Sequence, residues 1–184
     1  MAMELARPLT YDDLPQTQDD GSRYEIIGGE LLVSPSPTTN HQYLVYELVR
    51  TIGDVVDTHR LGQVLPGPVD VRLGVHNVVV PDVLFVRSER LEIVKSALIE
   101  GAPDLVIEVA SPTTRWRDLV QKAAAYAEAG VREYWLPDPE RREFRMLALV
   151  DGIYRDVEPV EGRYHSTVID GLSIHPDELF ANLR

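Results

Sequence analysis

Apolar and polar positions alternate through RYEIIGGELLVSP, and Gly28-Gly29 divides the run, which predicts a hairpin of two short strands. The period then changes. Leu44, Val45, Leu48, Val49, Ile52, Val55 and Val56 recur three and four apart, so a helix is expected from residue 41 to about residue 59. Thr38, Thr39 or Asn40 caps it. Gly62 opens QVLPGPVDVRLGV, which reads as a strand with a proline-containing kink, and NVVVPDVLFVR reads as a second strand. A polar stretch around 88–100 suggests a short helix. PDLVIEVAS is nearly continuous in apolar residues, as expected for a strand buried on both faces. Residues 116–129, WRDLVQKAAAYAEA, carry the strongest helical pattern, closed by Gly130. REYWLPDPE reads as a strand, EFRMLALVDGIYRDV as a hairpin about Asp151-Gly152, and Pro176 to Leu179 as a short terminal helix. This order predicts an α/β (α+β) fold with an N-terminal β-hairpin and a central mixed sheet flanked by helices.

The 184 residues suit one domain over 1–184, with a loose, polar N-terminal arm at about 1–20. There are no cysteines, which excludes disulfides and thiolate metal sites. No apolar run is long enough to span a membrane, and the expected location is cytoplasmic. The net charge of −12 opposes avid, non-specific binding to nucleic acid, which phosphate neutralisation drives. DNA binding by this chain therefore calls for a local basic patch or a bound metal.

Two carboxylates need explaining. Asp82 in VVVPDVLFV and Glu108 in LVIEVAS fall within apolar segments. Alternation puts Asp82 on one face with Val80, Leu84 and Val86, and Glu108 on one face with Val106 and Ala110. An acid in such company must be paired, protonated or bound to metal. If the strands are neighbours, the two converge. With the main-chain carbonyl of Val109 they make an oxygen donor set of the kind Mg²⁺ or Mn²⁺ accepts. Against this, Pro-Asp recurs at residues 103–104, 137–138 and 176–177, so the dipeptide says little. The residues alone leave a metal site and hydrogen-bonded strand-end acids equally open. Lys122 follows in the next helix, three and four positions from Leu119 and Tyr126, both expected to face the core. It either reaches back to the sheet or lies on the surface beside Asp118. Glu25 is either a further ligand or an outward strand residue. Arg115 and Arg117 flank Trp116 and form a small basic patch. Tyr134 and Trp135 read as core. His41, His59 and His76 show no zinc-site spacing.

Three stretches, RYEIIGGELLVSPSPTTNHQ, VVVPDVLFVR and PDLVIEVASPTTRWRDLVQKAAAYAEAGVREYWLPDP, occur in a familiar order. Over roughly residues 10 to 155 the chain resembles the Uma-two-type family of restriction-endonuclease-like proteins, within the PD-(D/E)XK nuclease superfamily. The resemblance implies a restriction-endonuclease-like core and a Mg²⁺- or Mn²⁺-dependent endonuclease acting on DNA. It matches Asp82 and Glu108 to the acidic motifs and Glu25 to the acid of the opening Tyr-Glu motif. The superfamily's usual lysine, two residues after the second acid, is Ala110 here. Lys122 matches the relocated lysine of the next helix. The rival expectations are a non-catalytic interaction module on the same fold and a metal-dependent hydrolase of another phosphate ester. Exposed apolar residues in the C-terminal hairpin would suit a homodimer.

Overall fold

The computed structural model describes residues 7–14, 22–34, 36–112 and 115–183. Gly28 and Gly29 have φ of 61° and 80°, the left-handed conformation a tight hairpin turn demands. They join β1 (Arg23–Ile27) to β2 (Glu30–Ser34) in the expected register. Of the N-terminal arm, residues 7–14 hold one 3₁₀ turn, Tyr11–Asp13, and Leu9 donates to the Gly29 carbonyl. Thr38 then accepts from the His41 amide and caps α1 (Thr39–His59). The buried face of α1 carries Leu44, Val45, Leu48, Ile52 and Val56 at the anticipated spacing.

The next two segments differ from expectation. Each is expected as one strand, and each is two strands belonging to different sheets. β3 (Gly62–Pro66) and β4 (Val71–Gly74) flank one crossover, and β5 (Asn77–Val79) and β6 (Val83–Arg87) flank the other. Prolines explain the breaks, because Pro68 and Pro81 have no amide hydrogen with which to continue a ladder. The crossovers pack together: the Gly67 amide donates to the Asp82 carbonyl at 2.8 Å. A Cβ on Gly67 would lie 2.5 Å from the Pro81 oxygen, so only glycine permits this approach.

A 3₁₀ segment, Ser88–Ile93, leads to β7 (Ile99–Glu100) and then to β8 (Leu105–Ile107). The strongly predicted helix is interrupted. It runs as α2 (Arg115–Arg117), a π-helical turn (Asp118–Lys122) and α3 (Ala123–Ala129), ending at Gly130 with φ 87°. β9 (Glu133–Asp138), β10 (Glu143–Val150), β11 (Ile153–Asp156), β12 (Tyr164–His165), β13 (Ser173–Ile174) and α4 (Pro176–Phe180) complete the chain.

The central six-stranded sheet has the order β11-β10-β9-β8-β6-β3. It is mixed: β8 and β9 are parallel and the other pairs antiparallel. A second sheet, β2-β1-β5-β4-β7, holds the N-terminal hairpin. Side-chain alternation decides what covers the central sheet. Val83, Phe85, Ile107 and Trp135 pack with α1 and α4. Leu84, Val86, Val106 and Tyr134 pack with Tyr126 of α3. The mixed sheet between helices is the expected architecture. Tyr134 and Trp135 are core residues, as their setting implied.

Candidate active site

Register brings the two acids together. Val83 of β6 lies opposite Ile107 of β8, so Asp82, one residue before β6, stands beside Glu108, one residue after β8. Neither acid lies inside a strand, contrary to the expectation from their apolar settings; each marks a strand end. Beyond β8 the chain still follows β9, with the Glu108 amide donating to the Trp135 carbonyl and the Ala110 amide to that of Pro137.

Asp82 is held from three directions. Arg23 Nη1 is 2.5 Å from its Oδ1, while His41 Nε2 at 3.0 Å and the Val109 amide at 2.8 Å both donate to its Oδ2. Burial alone would raise this acid. The hydrogen bond from His41, and then Arg23, hold it below the usual carboxylate range instead. Val109, anticipated for its carbonyl, is thus also a donor through its N–H.

Lys122 is 3% exposed, which removes the surface reading. Its Nζ lies 2.7 Å from Glu25 Oε1 and 2.9 Å from Glu108 Oε1. Tyr126 donates to the same Glu108 oxygen at 2.6 Å, and the Val80 amide donates to Glu25 Oε1 at 2.8 Å. Burial pushes the Glu108 carboxyl up to about 8; the Lys122 charge counters this, while Asp82, Glu25 and Asp118 add to it. Burial works against the Lys122 ammonium, yet Glu108, Glu25 and Asp118 raise its pKa above the usual lysine value.

The π-helical turn is what aims Lys122 inward. One extra residue in the turn delays the helical phase by one position. Asp118 therefore takes the buried place that an uninterrupted helix would give Leu119, and Leu119, expected in the core, is exposed. The inward stripe is then Asp118, Lys122, Ala125 and Tyr126. Periodicity could not reveal it, because the local pattern contains no breaker.

These groups form the floor of a half-enclosed cavity of about 650 Å³. Asp82, Glu108, Lys122, Glu25 and Val109 all line it, so the structure unites every predicted site residue. Two further members were missed. His41, grouped with the scattered histidines, is 8% exposed; its Nδ1 is buried without a partner and the residue lines the cavity. Its signal was its phase, three, four and seven residues before Leu44, Val45 and Leu48. Arg23 is two residues before Glu25 and so shares its face of β1. The patch around Trp116 is partly paired: Arg115 meets Asp138 at 2.5 Å, and Arg117 donates to Ser34 Oγ at 2.7 Å.

Carboxylates suit a hard divalent ion, and the floor has acid to spare, with Glu25, Asp82, Glu108 and Asp118 facing Arg23 and Lys122. The donor types therefore fit Mg²⁺. The side chains as they lie are committed to protein partners. Among the described residues no three acids or histidines are gathered closely enough to hold an ion. The most exposed of the partners of Asp82 is Arg23, whose side chain is 23% exposed.

Residues 8–175 match the model of the Uma2 family, described as "Putative restriction endonuclease". The chain belongs to this family. A crystal structure described as that of "a putative nuclease" from Anabaena variabilis superposes with a TM-score of 0.78, covering 96% of this chain and 100% of that one at 23% identity. At that identity the likeness speaks for the fold. None of the curated proteins matches. The Uma2 membership agrees with the motifs over 10 to 155 and extends through β13. In this Uma2 chain the position two residues after Glu108 is Ala110, 5% exposed and apolar, and the lysine contacting Glu108 comes from the π-helical turn.

Proposed function

We propose that this protein is a divalent-metal-dependent phosphodiesterase that cleaves DNA. The observation that carries the reading is Lys122. A buried lysine on the helix after β8 reaches Glu108, beside Asp82, and so occupies the functional place that Ala110 leaves empty. Asp82 and Glu108 would hold Mg²⁺ or Mn²⁺, with Glu25 and the Val109 carbonyl as further oxygens. Such an ion lowers the pKa of bound water and offsets charge on a phosphoryl oxygen.

The chain's own groups prepare the site. His41 and the Val109 amide fix one oxygen of Asp82 and leave the other to Arg23. Tyr126 orients Glu108. Lys122, kept protonated by its acidic neighbours, offers a fixed positive charge where the attacking water or the phosphoryl oxygens would stand. We assign the reaction to the cytoplasm, a reading consistent with the absence, among the described residues, of a helix long and apolar enough to cross a membrane. The exposed Val150 and Ile153 at the tip of the β10–β11 hairpin are the patch through which we would pair two copies.

One observation favours a second reading, a non-catalytic interaction module: both Asp82 oxygens already have protein partners. Calorimetric titration with Mn²⁺ separates the two. The phosphodiesterase reading expects one or two saturable sites that Asp82→Ala and Glu108→Ala both lose. It also expects metal-dependent cleavage of DNA that Glu108→Ala abolishes with the fold intact. Equal, weak binding by all three proteins and no cleavage would leave the interaction module.

A further inference from the structure

We infer that the site takes an unpaired stretch of DNA strand, with a base stacked on Trp116, and excludes closed duplex. The inference rests on the phosphodiesterase reading for its chemistry, but its own evidence is shape, charge and one exposed ring.

Shape comes first. Asp82, Glu108 and Lys122 are 3–4% exposed and lie at the bottom of the cavity. A phosphodiester must therefore descend to them. A duplex carries its phosphates on a broad, convex surface. A single backbone with its neighbouring sugar can enter a concave space, and 650 Å³ lies within the range of pockets that enclose a ligand of nucleotide size.

Charge points the same way. Duplex binding draws on many phosphate contacts at once, and a chain of net charge −12 is poorly equipped for that. The cations placed for a local strand are Arg117 and Arg142, which line the wall beside Glu140, apart from the floor acids. The Nε of Arg117 is buried without a partner. Arg142 has φ 55° and donates to the Leu183 carbonyl at 3.3 Å, a weak contact that a phosphate can replace.

Trp116 is the third element. It is 66% exposed, on a helix start where burying it would have been favourable. Its neighbour Arg117 lines the cavity while Trp116 itself does not, so the exposed ring is attached just outside the wall. Single-strand binders combine a cationic groove with exposed aromatic faces, because every base presents a π face while a duplex hides it. Trp116 beside Arg117 is that combination in its smallest form.

The chain contains two tryptophans, and Trp135 is fully buried, so quenching by a ligand reports Trp116. The full chain is titrated in magnesium buffer at low salt with a short mixed-sequence single strand, and separately with a blunt hairpin of the same sequence. Dye-labelled strands give anisotropy for Trp116→Ala and Trp116→Phe. The single strand should quench the fluorescence and bind about tenfold more tightly than the hairpin. Trp116→Ala should lose about tenfold in affinity for it, the scale of one stacked base, while Trp116→Phe keeps most of it. Hairpin binding as tight as that of the strand, no binding of either, or wild-type affinity in Trp116→Ala would overturn the inference. A strand that binds with quenching but is never cut would sink the phosphodiesterase reading and leave this one standing. Duplex cleavage without quenching would do the reverse.

Discussion

β8 and β9 run side by side, and buried acids stand at both ends of the pair, in opposite circumstances. At the end where the strands begin, Asp104 and Glu133 are fully buried. Asp104 accepts from the Arg87 amide at 3.0 Å and from Arg90 at 2.9 Å. Glu133 accepts from the Thr167 amide and hydroxyl, Ser166 Oγ and Trp135 Nε1. These acids close the structure: Glu133 ties the chain at 166–167 to the central sheet, and neither lines the cavity. At the other end Glu108 shares the Lys122 ammonium with Glu25, stands beside Asp82, and opens with them onto a cavity. Burial alone therefore does not mark a site. Buried acids that share one cation and face open space do. The dipeptide Pro-Asp makes the point, because Pro103-Asp104 serves the first arrangement and Pro81-Asp82 the second.

The contrast can be broken most forcefully at Lys122. Lys122→Met leaves Glu25 and, above about pH 8, Glu108 buried without their shared cation and should cost about 3–5 kcal/mol in urea unfolding at about pH 9. Adding Glu108→Gln should recover part of that loss, because the amide needs no counter-charge. A single variant as stable as wild type would mean that the site end is no more strained in charge than the other.

Glu133→Ala tests the structural end. It strands several buried donors and should lower stability by about 2–4 kcal/mol. Metal-dependent cleavage per folded molecule should be unchanged, measured well below the new melting temperature. Cleavage falling further than the folded fraction would show that the two ends are functionally linked.

The pH dependence should distinguish them more finely. Glu108 holds its proton up to about 8 in the folded chain, against an ordinary value of 4.5. The folded state thus binds the proton more tightly than the unfolded state. Its contribution to stability is complete below 4.5 and is lost as pH rises through about 8, at no more than about 1.4 kcal/mol per pH unit. Asp82, held low, acts in the opposite sense and is lost only in acid. Melting curves in chelator should show wild type weakening across that window and Glu108→Gln nearly flat. Parallel curves would refute the assignment.

What could be read in advance follows from where the signals were local. The hairpin at Gly28-Gly29, the apolar face of α1 and the Asp151-Gly152 turn each depend on neighbouring residues, and each is in place. The acids Asp82, Glu108 and Glu25 and the relocated Lys122 were legible through the resemblance, and the structure brings them together. The rest depended on distant contacts. Pro68 and Pro81 mark breaks locally, but that the halves join two different sheets depends on their pairing with distant strands. The π-helical turn has no local breaker, so Leu119 was turned the wrong way. His41 and Arg23 gain meaning only once α1 and β1 meet at Asp82.

The smallest effect is the most informative about the ion. Arg23 Nη1 occupies Asp82 Oδ1, the oxygen most readily given to a metal. Arginine and ion would compete for it, and the guanidinium also adds positive charge to the floor. Arg23→Gln removes both obstacles. Its stability cost should be small, since the side chain is partly solvated and His41 and Val109 still hold Oδ2. Mn²⁺ should therefore bind about three- to tenfold more tightly to Arg23→Gln than to wild type by calorimetry, the scale of relieving one partly screened charge. Unchanged affinity would mean that Oδ1 of Asp82 takes no part in binding the ion. Weaker affinity would mean that Arg23 organises the acids rather than competing for them.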